Sequence, residues 1–353
     1  MKQDLRRQEM GNESQAERRF TNRMRRTTLE EHFVTTEFIE GPGRDMLQML
    51  DTFARSTTQF SRDDLIDRLL DLGEQRISDM DLAGVDMQVL SFTRGVEAIE
   101  EEAKAVKLAH DSNDILAQAV KRHPTRFSGF ATLPVSVPAK AADELERVVK
   151  EYGFKGTMIH GHSRGRYLDD KFFWPILERA EELKVPIYLH PTPPPQSVIK
   201  ANYIGNYSKD VATLLSIAGW GWHIETALHL LRIMLCGALD AYPKLQLVIG
   251  HLGEGLPFMM PRIEHVFSRE TTKLDRHIGD YLRENVYYTF SGFNYTSAFL
   301  DLFLQVGAER IMFSADYPYF SMVEAQNFLD QLPVSPKDKE KIAHGNAEQL
   351  LGL

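Results

Sequence analysis

Five residues of types that bind divalent metals stand at four widely separated places in the chain. They are Glu30 and His32 in TTLEEHF, His190 in VPIYLHP, His251 in LQLVIGHLGE and Asp316 in RIMFSADYP. Each lies at, or just beyond, the end of a short apolar run of the kind that forms a β-strand. Carboxylate and imidazole donors without a thiolate suit Zn, Mn or Fe. Glu30 and His32 are two apart on an extended segment, so both project to one side and can share an ion. Glu31 between them points the other way and is expected to be structural. A second pair lies in GHLGEGLP, where Gly253 permits a tight turn and Glu254 can accept a hydrogen bond from His251. That bond would fix the imidazole's tautomer and raise its basicity. His251 then either ligates the metal or acts as an acid–base group beside it.

Residues so far apart meet only if the fold gathers the ends of their strands. From Thr27 onward, strand-like segments fall at 27–31, 87–93, 127–133, 155–161, 185–191, 245–251, 285–292 and 310–316. Between them lie segments of helical periodicity. Ser61 with Asp64 predicts an N-cap before LIDRLLDLGEQRISDM, whose Leu65, Leu69, Leu72 and Arg76 follow helical spacing. ETALHLLRIMLCGAL is apolar nearly all round, as in a helix buried between neighbours or at a subunit contact, and its His229 reads as a core histidine. SPKDKEKIAHGNAEQLLGL predicts a final helical segment packed on the rest. Eight strands alternating with helices predict an α/β fold of the (β/α)8 TIM-barrel type, not an open doubly wound sheet. No GxGxxG or Walker A loop is present to mark an open-sheet nucleotide site. The barrel brings all strand ends to one mouth, and the ligand candidates fall on strands one, five, six and eight. Residues 43–56 and 192–207 are expected to form loops over that mouth.

The bulk properties agree with one such domain. A chain of 353 residues with 43% hydrophobic and 26% charged residues has ample material for a core. The formal charge of -9 argues against nucleic-acid binding. No apolar stretch is long enough to span a membrane. Cys236 is the only cysteine, so no intrachain disulfide forms; it reads as a small buried hydrophobe in a reducing, cytoplasmic setting. Residues 1–26 form a charged tail, expected to be mobile or to contact another subunit, and 27–353 a single domain. The tail holds eight Lys/Arg against four Asp/Glu, a charge of +4, which leaves -13 of the total -9 for the rest. It has no apolar segment of the secretory type.

Taken together, LEEHF, YLHP, WHIETALHLLRIMLCGALDAYPKLQLVIGHLGEGLPF and FSADYPY resemble the amidohydrolase superfamily. The resemblance is to its branch of metal-dependent, non-oxidative decarboxylases of aromatic acids. That branch includes the γ-resorcylate, 2,3-dihydroxybenzoate, 5-carboxyvanillate and aminocarboxymuconate semialdehyde enzymes. LLDLGEQRISDMDLAGVD and HSRGRYLDDKFFWPILERA are most similar to the 5-carboxyvanillate type, and the Glu-x-His pair to the γ-resorcylate type. The resemblance implies one Zn or Mn ion per subunit on Glu30, His32, His190 and Asp316, and an acid–base pair in His251 and Glu254. It also implies that Asp316 protonates the ring carbon bearing the carboxylate. Arg262 matches an arginine that a neighbouring subunit contributes in this family, which implies a homodimer or homotetramer. Thr93, His160 and Tyr319 match positions that line the substrate pocket, with His160 in place of an Asn.

The chemistry implied is loss of CO2 from a small ortho-hydroxylated aromatic carboxylate. Direct departure of CO2 would leave an aryl carbanion, which protonating the ring first avoids. The same constellation could instead activate water for a hydrolase or hydratase acting on a lactone, ring-fission product or acyl compound. A metal-stabilised scaffold without turnover is a third reading.

Overall fold

Every expected strand forms and pairs in parallel with its chain neighbours. In the computed structural model, which describes residues 23–353 apart from 45, 58–59, 97–98 and 100, the strands are β1 (Thr27–Phe33), β2 (Met87–Phe92), β3 (Phe127–Gly129), β4 (Thr157–His160), β5 (Ile187–His190), β6 (Leu247–Ile249), β7 (Val286–Thr289) and β8 (Ile311–Met312). They run in the order β1-β2-β3 and β4-β5-β6-β7-β8. Bridges between Ala131 and Thr157 and between Leu29 and Ser314 close the two gaps. The sheet therefore returns on itself as a (β/α)8 barrel.

Alternation along the strands builds two apolar layers. Leu29, Val89, Phe130, Met158, Tyr188, Val248, Tyr287 and Met312 fill the interior, one from each strand or the residue beside it, and Ala347 and Leu351 of the C-terminal segment close its floor. The alternate residues, among them Leu90, Phe92, Ile159, Leu189 and Ile249, face the surrounding helices.

One departure from strict alternation matters for the site. β1 pairs with β2 through Leu29↔Val89 and then Glu31↔Leu90, so Glu30 is an extra residue bulged out of the ladder. Its φ is 64. Leu29 and His32 are an odd number of residues apart, and without the bulge they would face opposite sides of the sheet. With it, Leu29 packs inside the barrel while Glu30 and His32 also turn inward, and Glu31 stays in the outer layer beside Gln88.

Several helical expectations need correction. LIDRLLDLGEQRISDM forms two helices, Arg62–Leu70 and Glu74–Ala83. The Ser61–Asp64 capping box is present, but the Asp71 carboxylate takes the N–H groups of Gly73 (3.3 Å) and Arg76 (2.7 Å) and ends the first helix. Residues 43–56 are largely the helix Met46–Thr57, because Met46, Leu50 and Phe53 recur at helical spacing and bury one face; Asp45 lies outside the described residues. A short helix, Gln196–Asn202, likewise interrupts 192–207. Cys236 is exposed, not buried, at the end of the Gly221–Leu235 helix. Residues 1–22 of the charged tail lie outside the described residues. Arg25 and Arg26, at its end, pair with Glu348 (2.8 Å) and Asp330 (2.9 Å) on the barrel. No helix of the described residues is long and apolar enough to cross a membrane.

Candidate active site

Glu30, His32, His190 and Asp316 come together at the barrel mouth, with one ligand atom from each inside a 4.8 Å cluster. Glu30 Oε2 accepts hydrogen bonds from the hydroxyls of Tyr188 and Ser291, with Thr289 Oγ1 at 3.5 Å. Glu30 Oε1, facing the cluster, is buried without a partner, as is His32 Nε2. His190 Nδ1 lies 2.8 Å from the Pro191 carbonyl, which can only accept, so Nδ1 carries the proton and Nε2 presents a lone pair. That lone pair points at Glu30 Oε1 from 3.3 Å, and His32 Nε2 lies 3.2 Å from Asp316 Oδ1.

Acceptors facing acceptors at such distances need a cation or a carboxyl proton between them, and the imidazoles supply no charge. Burial, with the neighbouring His160, holds the pKa of both His32 and His190 well below the ordinary range, so they stay neutral. Burial likewise pushes Glu30 up against the opposing pull of His251, Ser291 and Tyr188. Asp316 is pushed well up by burial and by the charges of Glu30, Glu31 and Glu254. Two neutral imidazoles and two carboxylates with inward-facing lone pairs suit one divalent ion such as Zn or Mn.

The supporting contacts explain the aim of each ligand. Glu31 accepts hydrogen bonds from the N–H groups of Ala315 (2.9 Å) and Tyr317 (3.3 Å), the two residues flanking Asp316. Its position is therefore structural, as expected, and it clamps the turn that carries Asp316. Buried Arg76 donates to the His32 carbonyl at 2.6 Å. Gly250 has to be a glycine, because a Cβ there would stand 2.7 Å from Glu30 Oε2. Of nine non-glycine residues with positive φ among those described, five are Glu30, His251, Glu254, Ser291 and Asp316. Each such conformation costs about 1 kcal/mol or more, and strain of this kind concentrates at functional sites.

His251 and Glu254 form a second cluster with a member that sequence reasoning missed. His251 Nδ1 donates to Glu254 Oε1 at 2.8 Å, and His223 Nδ1 donates to Oε2 at 2.6 Å. The two histidines thus occupy both oxygens of one buried carboxylate. Burial alone would raise Glu254, but the charges and hydrogen bonds of His251 and His223 outweigh it and hold its pKa at about 2. His223 sits on the Gly221–Leu235 helix, and nothing in WHIE marks it as functional. Tyr188 was also missed, although its place two residues before His190 on one strand puts both on the same face. His229 behaves as a core histidine, accepting the Leu168 N–H at 3.0 Å.

A cavity of about 90 Å³ opens above both clusters. Thr93, His160, Tyr319, His190, His251 and Asp316 all line it, and apolar walls come from Leu50, Phe53 and Phe293. Thr93 and Tyr319 share a hydroxyl–hydroxyl hydrogen bond, and the His160 ring packs 4.6 Å from that of His190. Arg262 is not brought to this cavity; it stands exposed on the Leu256–Val266 helix of its own chain.

A family model for amidohydrolases matches residues 58–353. The chain belongs to the amidohydrolase family. It is 39% identical over 336 residues to the γ-resorcylate decarboxylase of Polaromonas sp. strain JS666, covering 92% of this chain and 98% of that protein. Among solved structures, it is similar to the dihydroxybenzoic acid decarboxylase of Polaromonas sp. JS666 with bound manganese and 2-nitroresorcinol. The TM-score is 0.83 at 36% identity, over 94% of this chain and 98% of that one. The 5-carboxyvanillate decarboxylase of Novosphingobium aromaticivorans, with bound manganese and a nitrobenzoic acid, gives 0.84 at 33%, over 93% and 97%. Both subgroups that the sequence resembles therefore recur among the relatives of this amidohydrolase.

Proposed function

We propose that this amidohydrolase is a metal-dependent, non-oxidative decarboxylase of an ortho-hydroxylated benzoate. The observation that carries the reading is Asp316, which belongs to the ligand cluster and lines the cavity at the same time. Glu30, His32, His190 and Asp316 would hold an ion whose positive charge would orient the substrate's carboxylate and favour ionisation of its ortho hydroxyl, and the ionised oxygen feeds electron density into the ring. Asp316 delivers its proton to the ring carbon bearing the carboxylate, with the ring π electrons forming the new C–H bond. The C–C bond to the carboxylate then breaks, its electron pair restores the aromatic ring, and CO2 departs. Solvent returns the proton to Asp316, so the net change is an aryl carboxylate plus a proton giving an arene and CO2.

The chain's other residues prepare that event. The His251 Nδ1–H bond to Glu254 leaves Nε2 free to face the ring hydroxyl and exchange its proton. Thr93, His160 and Tyr319 contact the ring's substituents, and Leu50, Phe53 and Phe293 exclude water from its faces. Arg262 serves the cavity of a neighbouring subunit in a homodimer or homotetramer. Exposed Phe258 and Met259 on the helix that carries Arg262, with exposed Ile224 and Leu228 on the Gly221–Leu235 helix, support that assignment. The lone cysteine suits a reducing cytoplasm.

The test is metal analysis followed by a panel of hydroxylated and methoxylated benzoates scored for CO2. Turnover should vanish on chelation and return with Mn or Zn. Formation of a water-addition product without CO2 would replace this reading with the hydrolase or hydratase one.

A further inference from the structure

Beside His251 stands a second imidazole that no strand end announces. His223 lines the cavity together with His251 and Trp222. The two histidine rings meet edge to face at 4.6 Å, and both rest against Phe293, at 5.1 and 5.3 Å. Buried Glu254 gives one carboxylate oxygen to each.

The neighbours of His223 fix where its proton sits. The indole N–H of Trp222, which can only donate, lies 3.1 Å from His223 Nε2, and the Ala218 carbonyl, which can only accept, lies 3.1 Å from the same nitrogen. A neutral ring takes the indole N–H there, and a protonated ring would donate to the carbonyl. In both states Nδ1 carries a proton and donates to Glu254 Oε2, because Glu254, held at about 2, is ionised and can only accept.

This sharing bears on His251. In the decarboxylase reading, His251 Nε2 borrows the proton of the ortho hydroxyl. The O–H bond breaks with its electron pair left on oxygen, an Nε2–H bond forms, and both changes reverse once CO2 has left. A group that takes and returns a proton works best with a proton affinity near the working pH. Burial would lower His251, but the charges of Glu254 and Glu30 and the hydrogen bond to Glu254 outweigh it and raise it. The charge of His251 is in turn felt at His32 and His190. With Glu30 engaged as a metal ligand, Glu254 is the anion left to hold the His251 proton. A carboxylate whose second oxygen already accepts an N–H attracts the first donor less.

We propose that His223 is a positioning residue: by holding Glu254 Oε2 it weakens the pull of Glu254 on the His251 proton, so that His251 can both take a proton and release it. This rests on the decarboxylase reading for the reaction in which the proton is lent, but not for the effect of His223 on His251. Direct contact of His223 with the substrate is the competing role.

The experiment sets His223→Leu, which removes the donor, beside His223→Asn, whose amide N–H2 can stand where Nδ1 does. Both are assayed in the metal-loaded enzyme on an ortho-hydroxybenzoate that it turns over. Glu254, freed of one donor, should hold the His251 proton more tightly. The acid limb of kcat/KM against pH should therefore move up by about one pH unit in the Leu variant and stay in place in the Asn variant. Mn affinity, read by competition with a chelator, should be unchanged in both, because the hydrogen bonds and ring contacts of His223 go to none of the four ligands. A fall in kcat at every pH with the limb unmoved would make His223 merely structural, and a higher KM with the limb unmoved would make it a substrate contact. Either result overturns the proposal. His223→Met takes the place of the Leu variant if circular dichroism shows that the latter does not fold. If no CO2 forms, the decarboxylase reading fails, and nitrogen NMR of the His251 ring in the Zn-loaded protein still decides on His223. The ring, identified by its absence from His251→Gln, should titrate about one pH unit higher in the Leu variant, and equal titration would overturn the proposal.

Discussion

Glu30 and Glu254 are the same residue type, are both sealed from solvent and sit at one barrel mouth, yet burial has opposite outcomes for them. Glu254 has two imidazoles on its two oxygens and is held down at about 2. Glu30 has hydroxyl donors on one oxygen and the bare lone pair of His190 near the other, and is pushed up. One cluster contains its own counter-charge; the other is complete only when an ion arrives. A buried carboxylate is therefore informative about function mainly through what faces its free oxygen.

The largest effect should come from Asp316→Asn, which keeps a neutral donor in place but removes the transferable acid. With metal saturating, kcat should fall roughly a thousandfold, in the range for lost acid catalysis, while calorimetry still detects substrate binding. Retention of more than a tenth of the CO2 release would mean that another residue delivers the proton.

The contrast between the two glutamates is tested next. Glu254→Gln should lower stability by roughly 3 kcal/mol with or without metal, because a depression from 4.5 to about 2 is lost with the charge. Glu30→Gln should leave the chelated protein as stable as before or more so, since the amide N–H2 can donate to the His190 Nε2 lone pair. It should also abolish the rise in Tm that added Mn produces. Equal losses from both variants in chelator would break the comparison.

Acid titration separates the two in another way. The folded-state pKa of Glu254 lies below its unfolded value, so its stabilisation is fully present above about pH 4.5 and drains away as the pH falls towards about 2. Urea unfolding between those limits should show a slope that Glu254→Gln flattens. The smallest effect expected is that of Tyr188→Phe, which removes one donor to Glu30 and should weaken metal binding about tenfold, read by competition with a chelator.

The barrel and the four residues that cluster at its mouth were legible because both follow from simple periodicities. Apolar runs of strand length recur between helical segments, and the ligand types fall at run ends. What stayed hidden has no local signature. LEEHF contains no glycine or proline to announce a bulge, because a parallel partner and the closed barrel impose it. His223 reaches Glu254 from a helix far away in the sequence, and only the packing of that helix against the β6 exit brings them together. The helix at 46–57 is not announced by the sequence because its apolar stripe is short and only Arg44 and Asp45 separate it from Gly-Pro-Gly.

The bulge at Glu30 also bears on how this site can change over evolution. A substitution at one of the ligands removes one donor and leaves the others aimed as before. Deleting one residue between Leu29 and His32 would restore an unbroken ladder with those two residues two apart, so the histidine would stay at the mouth and Phe33 on the outer face. What would be lost is the bulged position itself, the one place where a single strand turns two neighbouring donors inward. A one-residue alignment gap in β1 would therefore signal a mouth with one carboxylate fewer, while the histidine and the surrounding strands keep their register.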